Sequence, residues 1–184
     1  HPRESRLSHE EAVTIGETTL KGKKVTLREK RLSDAQKDYC WRADSELALL
    51  DAAQPIRMTY QEYLRIFEDE LRFPSPWSRR LTIEASDTTQ IGNCMYYDIN
   101  YVKRSAELGI LIGDKAYWGH GYGTDAVHTL LDFIFSATPL QKMYLHTLEW
   151  NLRAQRAFEK CGFVARRQVR RKGKTFVYME VIKE

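Results

Sequence analysis

Five consecutive residues of the sequence have the composition of an anion-binding turn. The run Gly119-His120-Gly121-Tyr122-Gly123 alternates glycine with larger residues. Because glycine has no Cβ atom, a ligand can approach such a backbone closely. When a glycine turn leads into a helix, the unpaired N–H groups of the first helical turn and the helix dipole favour a phosphate group. The sequence therefore predicts that this turn holds the diphosphate of a nucleotide-derived cofactor.

The residues on either side of the turn predict the elements that position it. Residues 107–112 (ELGILI) have the composition of a strand. After the turn, apolar side chains recur at i, i+3, i+4 and i+7, at Val127, Leu130, Leu131 and Ile134. This spacing places them on one face of an amphipathic helix. The turn therefore connects a strand to the N-terminus of a helix.

The rest of the chain continues the alternation of strands and helices. Further strands are predicted over 24–28, 81–85, 91–99, 142–148, 164–171 and 175–182. Helix starts are predicted at Ser33 with Asp34, at Thr59 with Glu62 in a capping box, and at Asn151. The element order β-α-α-β-β-β-α-β-α-β-β predicts a mixed α/β (α+β) domain. Its seven-stranded sheet should carry helices on both faces.

Composition limits the class of protein. A chain of 184 residues with 42% apolar and 29% charged residues is typical of a globular protein, and we expect one domain over residues 20–184 after a mobile arm over residues 1–19. No apolar run is long enough to span a bilayer, so no membrane partner is expected. Three widely spaced cysteines suit a reducing cytoplasm and give no metal-binding pattern.

Two other nucleotide-binding patterns are excluded by their context. Residues 121–126 (GYGTDA) match G-x-G-x-x-A, but that fingerprint should follow the first strand of a βαβ unit and precede an acidic residue about twenty positions on. Here four predicted strands come first, and the downstream positions are Tyr144, Leu145 and His146. A phosphate loop of the G-x-x-x-x-G-K-(S/T) type does not occur in the sequence.

Two motifs together give the chain a resemblance to the GNAT family of N-acetyltransferases. Residues 118–123 (WGHGYG) are similar to the family's diphosphate motif (Q/R)-x-x-G-x-(G/A), with Trp118 in place of Gln or Arg. Residues 151–163 (NLRAQRAFEKCGF) are similar to N-x-x-(A/S)-x-x-x-(Y/L)-E-K-x-G-F. The chain most resembles the branch of ribosomal-protein N-terminal acetyltransferases. The resemblance implies a mostly antiparallel sheet that splays between its fourth and fifth predicted strands.

The resemblance also implies how acetyl-CoA is held as a co-substrate, without a metal. The strand before the turn would pair with the pantetheine arm, the turn would bind the diphosphate, and the later helix would contact the arm. The implied cofactor contacts are Ile110, Leu111, Ile112, Trp118, Gly119, His120, Gly121, Tyr122, Gly123, Thr124, Asn151 and Phe158. Asn151 could also be a plain helix cap.

Acetyl transfer to an amine needs a base, because a protonated amine is not nucleophilic. The first candidate is Glu107, on the strand that would splay, and His146 is attractive because histidine titrates near neutral pH. Glu84 and Asp98 on neighbouring strands are further candidates.

The departing thiolate needs a proton, and here the chain departs from the family. The usual tyrosine is replaced by Phe158, which cannot donate. The acid is then water or a tyrosine at position 144, 122 or 101, unless thiolate departure needs no positioned acid.

These features predict an acetyl-CoA-dependent N-acetyltransferase that acts on a primary amine. The acceptor would be a protein N-terminus, a polyamine or another small amine, attracted by Asp44, Glu46 or Asp51. One alternative is a catalytically silent CoA-binding sensor of the same fold. Nucleic acid is not an expected partner despite the basic stretch over residues 166–174, and the resemblance allows a homodimer.

Overall fold

A computed structural model describes residues 19–184, and one sheet of eight strands runs through this part of the chain. Residues 1–18, nearly all of the predicted arm, lie outside the described residues. The strands are β1 (Leu20–Lys21), β2 (Val25–Glu29), β3 (Arg79–Ala85), β4 (Gln90–Asn100), β5 (Ser105–Ile112), β6 (Lys142–Leu148), β7 (Val164–Arg171) and β8 (Lys174–Ile182). The α-helices are α1 (Ala35–Ala43), α2 (Ser45–Leu50), α3 (Tyr60–Arg72), α4 (Tyr122–Ala137) and α5 (Leu152–Lys160).

The sheet is antiparallel except at its middle. Its strand order is β1-β2-β3-β4-β5-β6-β8-β7, and β5 with β6 is the parallel pair. These two strands pair only from Ser105 opposite Lys142 to Glu107 opposite Tyr144, after which they separate. The predicted α+β class and the splay between the fourth and fifth predicted strands, now β5 and β6, are confirmed. The predicted number of seven strands is corrected to eight, because Leu20–Lys21 pairs with β2 and is too short to show an alternating pattern.

One face of the sheet carries the main apolar core. Side chains that point to this face from β2 and β3, such as Leu27 and Ile83, are fully buried. They belong to one cluster with Val127, Leu130 and Ile134 of α4. The predicted apolar stripe of α4 is therefore the surface that packs on the sheet, which fixes the position of the glycine turn at its N-terminus.

The opposite face is joined to α1 by buried ion pairs. Arg28 of β2 makes a two-pronged contact with Asp34, at 2.9 Å to each carboxylate oxygen, and donates from Nε to Glu84 at 2.7 Å. Asp34 also accepts from the Thr82 hydroxyl at 2.9 Å and from the Arg31 amide at 2.8 Å. The predicted cap residue of α1 thus ties the helix to the sheet. The predicted capping box of Thr59 and Glu62 is present at the start of α3.

The ionised form of Asp34 is stabilised by these contacts. Burial by itself would raise the pKa of Asp34, but the hydrogen bonds from Arg28, the Arg31 amide and Thr82 outweigh it and lower the pKa below 3.8. A carboxyl group whose pKa is lower in the folded state contributes stability above its ordinary pKa. That contribution is lost as the pH falls through the lowered value.

We expect Asp34→Asn to lower the free energy of unfolding at pH 7 by about 3–5 kcal/mol, since it removes the carboxylate that binds two nitrogens of the buried Arg28 and leaves Glu84 alone to balance its charge. The deficit should stay constant down to about pH 4 and narrow below it, because wild type then loses the same charge. Urea unfolding from pH 7 to pH 3 measures the deficit and its pH dependence, with the exposed Asp132→Asn as the control. A deficit below about 1 kcal/mol at pH 7 would contradict the assignment.

Candidate active site

The separation of β5 from β6 leaves a cavity of about 430 Å³ between them. Its lining comes from residues 107–112 of β5 and 145–148 of β6, together with parts of α2 and α5. Because side chains alternate between the two faces of a strand, this cavity is lined from both faces of the sheet. On the core face, Leu108 and Leu145 are joined by Phe158 of α5. Side chains from both faces of the sheet can therefore contact a ligand in the cavity.

The other side of the cavity carries the polar groups. Glu107 and His146 lie on the face opposite the core, and their side chains meet, with Oε1 of Glu107 2.7 Å from Nδ1 of His146. Tyr97 of β4 lies directly opposite Glu107 in the antiparallel register and donates its hydroxyl to Oε2 at 2.7 Å. Three side chains from three adjacent strands thus form one hydrogen-bonded row, Tyr97–Glu107–His146. Glu107 and His146 are separate predictions from the sequence, whereas Tyr97 is not predicted.

This row sets the tautomer of the histidine. Burial, and then the hydrogen bond to Glu107, raise the pKa of Tyr97 far above its ordinary value of 10, so Tyr97 remains a donor. A carboxylate can only accept, so Nδ1 of His146 carries a proton towards Glu107. The other ring nitrogen, Nε2, then keeps its lone pair, and it makes no hydrogen bond within residues 19–184. His146 lines the cavity, and its role as a base stays a prediction.

The other predicted bases lie apart from the cavity. Glu84 is engaged in the buried ion pair with Arg28, and Asp98 is exposed beside the irregularity of β4. Neither side chain contributes to the lining.

The predicted tyrosine acids also lie outside the lining. The ring of Tyr144 stacks on Tyr178 at 5.6 Å and lies edge-on to His146 at 6.1 Å, and burial raises the pKa of Tyr144. Tyr101 is exposed beside Trp77, and Tyr122 packs on Tyr117. A role for Tyr144 as the acid stays a prediction.

The glycine turn has the predicted geometry of an anion site. Gly119 and Gly121 have φ of +76° and +82°, values that other residues rarely adopt, and Gly121 is the N-cap of α4. A Cβ atom on Gly123 would lie 3.6 Å from the Ile112 side chain. The turn therefore directly adjoins the end of β5, and the free amides of residues 122–124 begin next to the cavity.

The free edge of β5 is the second part of the predicted cofactor site. Residues Ile110, Leu111 and Ile112 pair with β4 on one side, whereas β6 leaves the other side after Glu107. Trp118 lines the cavity and donates its indole N–H to the Ile112 carbonyl at 2.7 Å. The residue that replaces Gln or Arg thus fixes the end of β5.

Helix α5 supplies the remaining predicted contacts. Asn151 caps the helix, accepting from the Ala154 amide at 3.2 Å, and it also lines the cavity. The cap and the predicted contact with the pantetheine arm are therefore compatible. Phe158 lines the cavity as well and packs on Phe163 at 5.8 Å between ring centres.

Two cations beside the turn were not predicted. Lys24, the residue before β2, donates from Nζ to the His120 carbonyl at 2.6 Å. A Cβ atom on Gly119 would lie 3.0 Å from Nη2 of Arg153, in the first turn of α5. Both residues are far from the glycine turn in sequence, and no local pattern connects them with it.

Of the predicted acidic residues, Asp51 lines the cavity. Asp44 caps α2 through the Leu47 amide, and Lys115 contacts both Asp44 and Glu46, at 3.5 and 2.6 Å. The side chain of Asp51 reaches the surface, but neighbouring atoms desolvate it and raise its pKa, while Arg42 acts in the opposite direction. A cationic ligand beside Asp51 would favour its ionised form.

Within residues 19–184, the structure contains no group of three or more His, Cys, Asp or Glu side chains arranged to hold a metal ion. In the same part of the chain, none of the helices is both long enough and apolar enough to cross a bilayer.

The sheet opens beside a glycine turn, and a free strand edge leads to that turn. This arrangement suits a cofactor in which an extended arm is joined to a nucleotide. The family model of the acetyltransferase (GNAT) domain matches residues 24–164, and the chain belongs to this family. The predicted family is therefore confirmed. GNAT acetyltransferases use acetyl-CoA, which supports the predicted enzyme class and cofactor. The ribosomal-protein branch remains a prediction.

Comparison with individual proteins gives relatives of related activity. The chain is 36% identical over 86 residues to spermidine N(1)-acetyltransferase of Vibrio cholerae, a segment that covers 47% of this chain and 49%, about half, of that relative. It is 25% identical over 168 residues to the probable N-acetyltransferase YjcK of Bacillus subtilis, covering 84% of this chain and 90% of that protein.

A solved structure supports the same fold. Spermidine N-acetyltransferase from Vibrio cholerae, in complex with CoA and spermine, superposes with a TM-score of 0.77 at 23% identity. The superposition covers 86% of this chain and 95% of that one.

We expect Gly121→Ala to weaken CoA binding about tenfold or more, because a Cβ atom would hold the diphosphate away from the amides and cost at least one charge-assisted hydrogen bond. Gly173→Ala is the matched control. Gly173 also has positive φ, at +76°, but nothing lies within 4 Å of its added Cβ. Both variants should lose about 1–2 kcal/mol of stability from backbone strain. Equal CoA affinities for the two variants, measured by calorimetry, would remove the turn from the site.

Proposed function

We propose that this protein transfers the acetyl group of acetyl-CoA to a primary amine of a small polyamine. The observation that carries the proposal is the Glu107–His146 pair at the point where β5 and β6 separate, next to a free strand edge that leads to a glycine turn. Family membership supports the donor, and the names of the relatives support the acceptor.

The arm of the donor fits the free edge of β5. Main-chain groups of residues 108–112 that no longer face β6 are available to the amides of pantetheine, as in the addition of a strand to a sheet. Apolar side chains of Ile110 and Phe158 line the same side of the cavity. This arrangement would bring the thioester to the beginning of the gap, close to Glu107, where a β5 amide can serve its carbonyl oxygen.

His146 is the base of the proposed reaction. The acceptor amine, with an ordinary pKa near 10, approaches from the face that carries Glu107 and gives its proton to Nε2 of His146. The amine nitrogen then bonds to the acyl carbon, and the carbon–sulfur bond breaks. Glu107 acts as a positioning residue, because Tyr97 and His146 occupy its two oxygens and the carboxylate favours the imidazolium ion. The amine nitrogen loses its second proton to water as the amide forms, and the thiolate takes a proton from the imidazolium ion or from water.

The acceptor side suits a cation with a methylene chain. Leu47 and Leu50 of α2 line the cavity beside Asp51, so apolar side chains adjoin one carboxylate there. Arg171, at the β7–β8 turn, lines the cavity too and would repel a second positive charge. The far amine of a polyamine would therefore be directed towards Asp51.

Replacing the proposed base should remove most of the activity. We expect His146→Ala to lower kcat by roughly 100-fold or more, the usual contribution of a general base. Added imidazole should restore part of it, because a missing ring leaves space in the cavity. The exposed His128→Ala is the control and should match wild type in an assay of thiol release. Retention of most of the activity in His146→Ala, with a loss confined to Glu107→Gln, would make Glu107 the base instead.

The acceptor is tested by the same assay with spermidine, spermine, diamines of different length and N-terminal peptides of ribosomal proteins. We expect the polyamines to react with the highest kcat/KM. Asp51→Asn should raise KM for spermidine about tenfold, since a partly desolvated charge pair is lost, with Asp132→Asn as the control. A preference for peptides would assign the protein to the N-terminal acetyltransferases.

The alternative is a sensor of the same fold that binds CoA and catalyses no acetyl transfer. It is favoured by Phe158, which replaces the usual proton donor, and by the position of Tyr144 outside the cavity lining. Binding of acetyl-CoA without thiol release on any amine would select it.

A further inference from the structure

We propose that Lys24 and Arg153 bind the phosphate groups of CoA from two sides of the glycine turn, and that Asp125 positions Lys24 for this role. The proposal rests on CoA as the ligand of the proposed function. It adds three residues that neither family motif specifies, since Arg153 occupies an unspecified position of the second motif.

Lys24 reaches the turn from a segment 96 residues before His120. Its ammonium group donates to the His120 carbonyl at 2.6 Å and lies 5.4 Å from the centre of the Tyr122 ring. A Cβ atom on Gly121 would be 3.8 Å from Nζ. The ammonium therefore borders the space that the missing Cβ leaves open to a ligand. Its side chain is exposed, so a phosphate can bind without the burial of an unpaired charge.

Arg153 borders the same turn from the other side. Its Nη2 would be 3.0 Å from a Cβ atom on Gly119. Arg153 is the second residue of α5, and the first turn of that helix contains no acidic residue. A cation at a helix N-terminus is repelled by the helix dipole, so this position is unfavourable unless an anion lies nearby. The N-terminus of α4 and two cations thus border one exposed turn.

Asp125 holds the start of β2 in place. Its carboxylate accepts from three consecutive amides, those of Lys23, Lys24 and Val25, at 3.1, 2.7 and 3.0 Å. The approach is so close that a Cβ atom on Gly22 would lie 2.5 Å from an oxygen of Asp125. Because Asp125 lies in the first turn of α4, it couples the backbone of Lys24 rigidly to the glycine turn.

The identity of Trp118 leaves the phosphate site without a charged side chain at this position of the motif. The related motif places Gln or Arg at this position, whereas the Trp118 indole is uncharged and its N–H is engaged with the Ile112 carbonyl. Charge-assisted hydrogen bonds from Lys and Arg are the strong contacts to phosphate. In this chain Lys24 and Arg153 supply them from β2 and α5.

Calorimetry with CoA, dephospho-CoA and pantetheine tests the proposal, the weakest ligand being measured by displacement. We expect Lys24→Ala and Arg153→Ala each to weaken CoA binding about tenfold, with pantetheine unchanged. Lys23→Ala, beside Lys24, and Lys160→Ala, about two turns further along α5, are matched controls and should bind CoA as wild type does. Unchanged CoA affinity in both variants, or equal losses for CoA and pantetheine, would overturn it.

Dephospho-CoA identifies which phosphate is bound. If the tenfold loss persists with this ligand, the cations bind the diphosphate. If the loss disappears, they bind the 3′-phosphate. Either result supports a phosphate contact.

Asp125→Asn tests the positioning role. It should weaken CoA binding about as much as Lys24→Ala does, and the double variant should lose no more than either single variant. In turnover, KM for acetyl-CoA should rise with kcat unchanged. Additive losses, or an equal loss for pantetheine, would show that Asp125 acts only on stability, which the melting temperature reports separately.

The outcome is separable from that of the proposed function. Phosphate-dependent CoA binding without thiol release would refute the proposed reaction and leave this inference in place. Normal turnover with wild-type CoA affinity in Lys24→Ala and Arg153→Ala would refute this inference alone.

Discussion

The parallel pairing of β5 with β6 stops after Glu107, and the rest of the molecule depends on that separation. A strand edge without a neighbour has unpaired main-chain groups, and in most proteins such an edge must be covered. Here the gap exposes one edge of β5. Helices α4 and α5 lie beside the gap on the core face of the sheet, and α2 lies beside it on the opposite face. The donor and the acceptor can therefore meet through the sheet, each approaching from its own side. The Glu107–His146 pair lies at the beginning of the gap, where the two strands are still close enough for their side chains to bond.

The two faces of the sheet are held by different interactions. On the core face, α4 packs through apolar side chains, so the glycine turn is fixed by close packing. On the acceptor face, α1 is attached through Arg28, Asp34 and Glu84, with Lys30 bonded to Asp38 at 2.7 Å. Buried ion pairs cost desolvation energy but are specific in geometry. The core face is therefore held by close packing, and the opposite face is held by polar contacts.

Sequence patterns predicted most of the fold and named residues of β5, the glycine turn and α5 that the structure brings close together. Seven strands and the helix after the glycine turn were long enough to show a period, whereas Leu20–Lys21 and the six-residue helix Ser45–Leu50 were not. Glu107 and His146 were found as separate candidates, but their contact depends on the parallel register of β5 and β6, which no local pattern fixes. Tyr97, Lys24 and Arg153 were missed because their contacts depend on how separate elements pair and pack, which no local pattern fixes.

The central claim is that the free edge of β5 and the glycine turn together form the cofactor site. A crystal structure of the complex with CoA tests this most directly. We predict that the pantetheine amides pair with the main chain of residues 108–112, and that the diphosphate contacts the amides of residues 122–124. The thiol should lie at the beginning of the gap, within reach of an amine held near His146. CoA bound on another surface, or a β5 edge that pairs with another part of the chain, would contradict the account.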